Sequence, residues 1–176
     1  MFAQLDTKSV YSFMDSVVDL TTYIKRAKEL GYQALGLMDR DNLYAAYHFA
    51  QFASSKGLRP LIGMEANLFY EGRKIPFRLL AKNNQGYKNL MKLATELSSG
   101  QREFTAFSDY LNAIALILPS EDWEPGMTLG SEVFIGIRPE DAGKEFDYPV
   151  IPLHTVRYFE NADRSTIQML HAISQN

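Results

Sequence analysis

The sequence predicts an α/β fold built on a mainly parallel sheet. Strand-like and helix-like patterns alternate near the start at roughly 25-residue intervals, the spacing of βα units. The run at 34–38, Ala-Leu-Gly-Leu-Met, is short and continuously apolar, as in a parallel strand buried on both faces. A glycine follows each of the first three helical patterns, at Gly31, Gly57 and Gly100, where a helix stop is expected.

In chain order, residues 2–5 are apolar and suit a first strand. Asp19 is placed to cap a helix over 20–30, because Leu20, Tyr23, Ile24, Ala27 and Leu30 recur at helical spacing. After the strand at 34–38 comes a polar turn, Asp39-Arg40-Asp41-Asn42, and then a second helix over 43–56. Residues 60–63 begin another strand, and 64–70 continue extended to a hairpin turn at Glu71-Gly72, with the return over 75–81. Tyr87, Leu90, Met91, Ala94 and Leu97 mark a third helix. Residues 113–118, 133–137 and 149–153 read as strands, and 165–173 as a last helix. The stretches 101–109 and 120–131 are polar, turn-rich loops rather than linkers, so the 176 residues form a single domain.

Composition narrows the function. With 46% hydrophobic and 22% charged residues the chain buries a full core and is not disordered. It has no cysteine, which excludes a disulfide framework, a thiolate nucleophile and a thiolate zinc site, and agrees with a cytoplasmic protein. The net charge of −3 is unlike that of a free-standing nucleic-acid binder, so if the domain belongs to a DNA enzyme the main DNA grip lies elsewhere. No signal-peptide layout opens the chain, and no apolar run approaches the roughly 20 residues that span a bilayer; no membrane partner is expected.

Five segments, in order, resemble one family. Leu5-Asp6-Thr7-Lys8-Ser9-Val10-Tyr11-Ser12 is similar to the opening motif of polymerase-and-histidinol-phosphatase (PHP) domains, normally Leu-His-x-His-Ser-x-Tyr-Ser. Residues 26–39 resemble the following helix and strand, which in the family ends in Thr-Asp-His. Residues 57–65 resemble a third motif that ends in a ligand glutamate, here Glu65. Leu79-Leu80-Ala81-Lys82-Asn83-Asn84-Gln85-Gly86-Tyr87-Lys88-Asn89-Leu90 is especially like the branch found in bacterial replicative polymerase α subunits. Residues 149–158 resemble a segment usually reading Asn-Asp-x-His-Tyr. Residues 101–148 are the weak stretch, and 118–149 look shorter than the family's course. The resemblance implies a distorted (β/α) barrel, complete or incomplete. It also implies that this is the N-terminal part of a polymerase of about a thousand residues, well beyond one domain.

The same resemblance shows what has been lost. A PHP phosphoesterase holds several divalent metals, which activate water and clamp phosphate oxygens, on histidines and carboxylates at strand C-termini. The family's two opening histidines correspond here to Asp6 and Lys8, the histidine after Asp39 to Arg40, and the histidine of the last motif to Arg157, with Thr155 at an aspartate position. Pro76 and Phe77 stand where the family tends to carry another histidine. Only Asp39 and Glu65 keep the expected ligand type, and they are weak metal candidates. Protonated lysine and arginine are not ordinary ligands, and they repel divalent ions. Asp6, Lys8, Asp39, Arg40, Glu65 and Arg157 therefore read as a degenerate former metal site in which Lys8, Arg40 and Arg157 supply the charge that metals once did. Arg40 and Arg157 are the first choices for bidentate carboxylate contacts. Two other readings stand beside this one: solvated rim charges of little consequence, and a weak retained metal site.

Other features have plainer readings. His154 suits a structural or rim position, and His48 and His171 suit helix surfaces. Tyr44, Tyr47, Phe49 and Phe52 suit core packing better than a base-stacking platform, although the platform stays open. Ser9 and Ser12 have no nearby base of the type a hydroxyl nucleophile needs. The expectation is a catalytically inactive domain with no cofactor of its own and a structural or docking role. Its partners would be the rest of the polymerase chain and other replisome subunits, a proofreading exonuclease among the candidates. The resemblance implies magnesium and DNA only through the parent polymerase. The alternative is a residual metal-dependent phosphoesterase or 3′–5′ exonuclease, and beyond that an α/β binding domain of another kind.

Overall fold

The structure, a computed structural model, describes residues 3–130 and 132–174. Its strands are β1 (Ala3–Gln4), β2 (Asp6–Thr7), β3 (Ala34–Leu37), β4 (Arg59–Tyr70), β5 (Arg73–Ala81), β6 (Ile114–Pro119), β7 (Val133–Ile137), β8 (Val150–Pro152) and β9 (Thr155–Val156). The helices are α1 (Leu20–Glu29), α2 (Ala46–Ser55), α3 (Asn84–Ser98) and α4 (Asp163–Ser174), with a longer 3-10 turn at Phe104–Tyr110.

Seven strands form one sheet in the order β1-β3-β4-β5-β6-β7-β8. All neighbours are parallel except where β5 runs against β4 and β6. β2 leaves this sheet and pairs in parallel with β9, Asp6 opposite Thr155 and Thr7 opposite Val156. Because β2 directly continues β1, and β9 follows β8, this short ladder joins the two ends of the curled sheet. Lys8 N–H to Val156 O and Met38 N–H to Thr7 O, both 2.9 Å, extend the seam on either side of β2. The result is a distorted α/β barrel. β3 runs so close to the chain between β1 and β2 that a Cβ on Gly36 would lie 1.9 Å from Leu5 O, which requires glycine there.

The elements form for the reasons the sequence offers. Asp19 accepts from Thr22 N–H and starts α1; Asn83 accepts from Gln85 and Gly86 N–H and starts α3. Gly31 and Gly57, at φ 77° and 74°, sit past the ends of α1 and α2 in the left-handed region. Glu71 and Gly72, at φ 50° and 80°, make the two-residue turn whose positive φ values match the twist of a tight hairpin. Alternation along β4 and β5 splits their faces. Met64, Ala66 and Leu68, opposite Leu79, Phe77 and Ile75, bury outward against α3 and the 3-10 turn. A second cluster, with Ile24, Leu35 and Phe49, packs α1 and α2 on the barrel's other flank. Met38, Ile117 and Leu153 form a small third cluster.

Several expectations change in detail. The first strand is two short pieces that together reach Thr7, not residues 2–5; Phe2 lies outside the described residues. The second helix begins at Ala46, because residues 44–45 form a turn braced by the Asn42 side-chain Oδ1, which accepts from Tyr44 N–H at 3.1 Å. Of the aromatic cluster, Phe49 is fully buried and Phe52 packs at the edge of the core, whereas Tyr44 is 76% exposed and Tyr47 63%. The core reading holds for two of the four.

Candidate functional site: a buried ion-pair centre

β2, the end of β3, the middle of β4, the middle of β5 and β9 bring their polar side chains to one place. Lys8, fully buried, has its ammonium 2.9 Å from Glu65 Oε2 and 3.1 Å from Asp6 Oδ1, and it donates to Met38 O at 2.6 Å. Arg78 comes in from β5, where the hairpin register sets it opposite Glu65. Its Nε donates to Asp6 Oδ2 at 3.0 Å, and its Nη2 lies 3.3 Å from Glu65 Oε2. Thr155 donates to Asp6 Oδ2 at 2.6 Å. Two carboxylates and two cations are thus desolvated together, an arrangement that persists only when each charge is matched.

The proton affinities follow from that matching. Burial pushes the Asp6 carboxyl up, but Lys8 and Arg78 beside it, with the Thr155 hydrogen bond, outweigh burial and hold it at about 2. Glu65 is held below the usual range in the same way, burial opposing and Lys8 and Arg78 prevailing. Arg78 is raised: burial works against its charge, and Asp6 and Glu65 more than restore it.

A second, shallower cluster lies alongside. Asp15 is buried, and its Oδ1 receives Arg157 Nε at 2.9 Å and lies 2.9 Å from His171 Nε2, while its Oδ2 is 2.7 Å from Arg40 Nη2. Burial raises the Asp15 carboxyl, and Arg157 and Arg40 bring it below its ordinary value. Arg40 links the two clusters, since its Nε also donates to Glu65 Oε1 at 3.2 Å. Asp39 faces neither group of cations. It accepts from Ser9 N–H at 2.6 Å and from the Ser9 and Ser12 hydroxyls at 2.7 Å each.

The six residues singled out by sequence therefore divide. Asp6, Lys8 and Glu65 meet in the buried centre, and Arg40 touches its rim. Asp39 is held by hydroxyls rather than by a cation, because the chain at Ser9–Ser12 folds over it. Arg157 pairs with Asp15, not with the three expected carboxylates, and neither arginine makes a bidentate fork: each reaches a given carboxylate through a single nitrogen. His154 is exposed and its carbonyl accepts from Gln4, and His48 is an exposed helix residue edge-on to Tyr47. His171 is not merely a helix-surface group, since it reaches Asp15 across the fold. Arg78 and Asp15 were not anticipated. Counting back from the Glu71-Gly72 turn would have found Arg78, because a two-residue loop that pairs Tyr70 with Arg73 necessarily pairs Glu65 with Arg78. Asp15 sits in an irregular loop with no periodic signal.

With this geometry in view, comparison decides the family. The PHP domain profile matches residues 4–127. The chain belongs to the PHP domain family. All of it aligns at 44% identity with DNA polymerase III subunit alpha of Streptococcus pyogenes, of which it spans 17%. At 32% identity, 68% of it aligns with 11% of DNA polymerase III subunit alpha of Bacillus subtilis. An amidohydrolase structure from Chromobacterium violaceum overlays 56% of the chain and 34% of its own at 20% identity, with a TM-score of 0.47. The first two relatives share the family and are far longer than this PHP domain.

Metal-dependence in the family raises the question whether these residues fit a divalent ion. They do not as arranged. The Lys8 ammonium occupies the space between Asp6 and Glu65 that a cation would take, and Arg78 closes the remaining approach. Asp39 has both oxygens engaged by short hydrogen bonds. Among the described residues no helix is long and apolar enough to cross a membrane.

Proposed function

We propose that this chain is the PHP domain of a DNA polymerase III α subunit in which fixed cations stand in for the family's metals, and that it serves as a structural and docking module rather than a phosphoesterase. The alignment of the whole chain with a 17% share of a polymerase α subunit supports the parentage. The observation that carries the loss of chemistry is the position of Lys8, wholly buried between Asp6 and Glu65. An ammonium there supplies one positive charge at a ligand's position but polarises no water and clamps no phosphate. Asp6, Lys8, Glu65, Arg40 and Arg78 form the replaced centre; Asp39 and Arg157 are former ligand positions turned to structural use. The parent is a DNA-directed DNA polymerase of cytoplasmic chromosome replication, with its own magnesium-dependent polymerising site outside this chain. The partners of the domain are the rest of that polymerase and other replisome subunits.

Elemental analysis of the purified chain after exposure to zinc, manganese and magnesium tests this directly. The expected result is no stoichiometric metal, together with hydrolysis of phosphoesters and of single-stranded DNA 3′ ends no faster than that of Asp39→Ala. About one metal or more per chain, lost on Glu65→Ala, would overturn the metal-replacement reading, and hydrolysis above that of Asp39→Ala with it would establish the residual phosphoesterase or exonuclease instead.

A further inference from the structure

The long β4–β5 arm carries a second polar site beyond the ion-pair centre. Glu65, Asn67 and Phe69 share one face of β4, and the register sets Arg78, Pro76 and Lys74 opposite them. The inner end of this row is the buried centre. Its outer end opens on a cleft of about 500 Å³ lined by Arg40, Asp41, Asn67, Phe69, Lys74 and Arg102. Residues 102–103 complete the wall by running along β4, with Phe69 N–H donating to Arg102 O at 2.7 Å.

Three cations here face one carboxylate, and that carboxylate is already engaged. Asp41 Oδ2 takes Arg102 Nη1 at 2.7 Å and Oδ1 takes Asn67 N–H at 3.2 Å. The donors around it are not. Among the described residues the Lys74 ammonium and the Asn67 side-chain amide make no hydrogen bond or ion pair. Arg102 places only Nη1, on Asp41 and on Asn67 O, and Arg40 places Nε and Nη2, leaving Nη1. Arg40 is matched by Asp15 and Glu65, and Arg102 by Asp41, so among the described residues free N–H groups line the cleft with the Lys74 ammonium as its unmatched charge. The complement of such a site is a compact oxyanion with several acceptor oxygens. The cleft is larger than such an ion and has the Phe69 ring in its wall, room suited to an anion carried on a larger molecule.

We propose that this cleft binds a phosphate group, borne by a nucleotide or by a nucleic-acid backbone. Arg40 is shared with the ion-pair centre through Glu65, but Lys74 and Arg102 touch none of Asp6, Lys8 and Glu65, so a variant at Lys74 tests this cleft without disturbing that centre. The test is calorimetric titration of the chain at low ionic strength with inorganic phosphate, pyrophosphate, a deoxynucleoside triphosphate and a short single-stranded oligonucleotide. Saturable binding is expected for the phosphate-rich probes. Lys74→Glu should weaken it by about tenfold or more, since a reversed charge sits at the anion's own distance. Lys88→Glu, the same charge change on the exposed side of α3, should alter it by less than about twofold. Tighter binding of the oligonucleotide than of the triphosphate assigns a strand backbone, and the reverse order assigns a nucleotide. Equal losses in the two variants, or no saturable binding of any probe, would overturn the proposal.

Discussion

Asp6 and Asp15 are both buried carboxylates served by more than one cation, yet the cations around them live in different surroundings. Those at Asp6 are desolvated as well: the Lys8 side chain is 0% exposed and Arg78 8%. Those at Asp15 reach in from the surface, with Arg40 40% exposed, Arg157 28% and His171 44%. At Asp6 no member can leave without stranding a charge away from water. At Asp15 water can take over from a missing cation. Ion pairs of similar length therefore differ in worth according to what remains when one is cut.

The sharpest way to break this contrast is Lys8→Met. It leaves Asp6 and Glu65 buried with Arg78 alone, and should cost about 3–5 kcal/mol in urea unfolding. A cost below that of neutralising Asp15 would abolish the distinction. Acid titration comes next. Asp6 falls from an ordinary 3.8 to about 2 in the fold, so folding favours its ionised form. Its contribution of about 2 kcal/mol is fully present above pH 4 and fades as pH drops from about 4 through 2. Glu65 and Asp15, also lowered, act in the same direction. Asp6→Asn should flatten this acid limb of a stability–pH curve, and an unchanged slope would refute the assignment. Asp15→Asn should then cost about 1–2 kcal/mol, because the cations it releases regain water. Smallest of all, Arg157→Ala should cost about 0.5–1 kcal/mol, still measurably more than Lys74→Ala, which removes no ion pair.

What was legible in the sequence follows the same divide. Helices, the β4–β5 hairpin and the buried strands could be read because periodicity and glycine stops are local signals. Asp6, Lys8 and Glu65 could be placed because they occupy motif positions at strand ends, where a barrel converges. The partner that completes their charge balance, Arg78, lay in plain view between Phe77 and Leu79, but only the hairpin register reveals that it faces Glu65. Asp15 and His171 meet across the fold from a loop and the last helix, a long-range pairing that no local pattern encodes. Arg40 and Arg157 read from the sequence as cations with carboxylates to meet, and the carboxylates they reach depend on how residues 9–18 fold over the strand ends.

The β2–β9 seam bears on the order in which the chain folds. Asp6 and Thr155 are partners across almost the whole sequence, so the ring shuts by closing a very long loop through a ladder only two residues wide. Such non-local pairings form late, after the local hairpin and βα units have gathered. The Asp6 carboxylate receives the Thr155 hydroxyl only at that moment. A nascent chain that has not yet reached Val156 lacks the strand that pairs with β2 beside Asp6. Dehydration of Asp6, Lys8 and Glu65 is then expected to come last rather than first, and a chain cut short before Thr155 would keep an unsealed edge where the finished one has a closed ring.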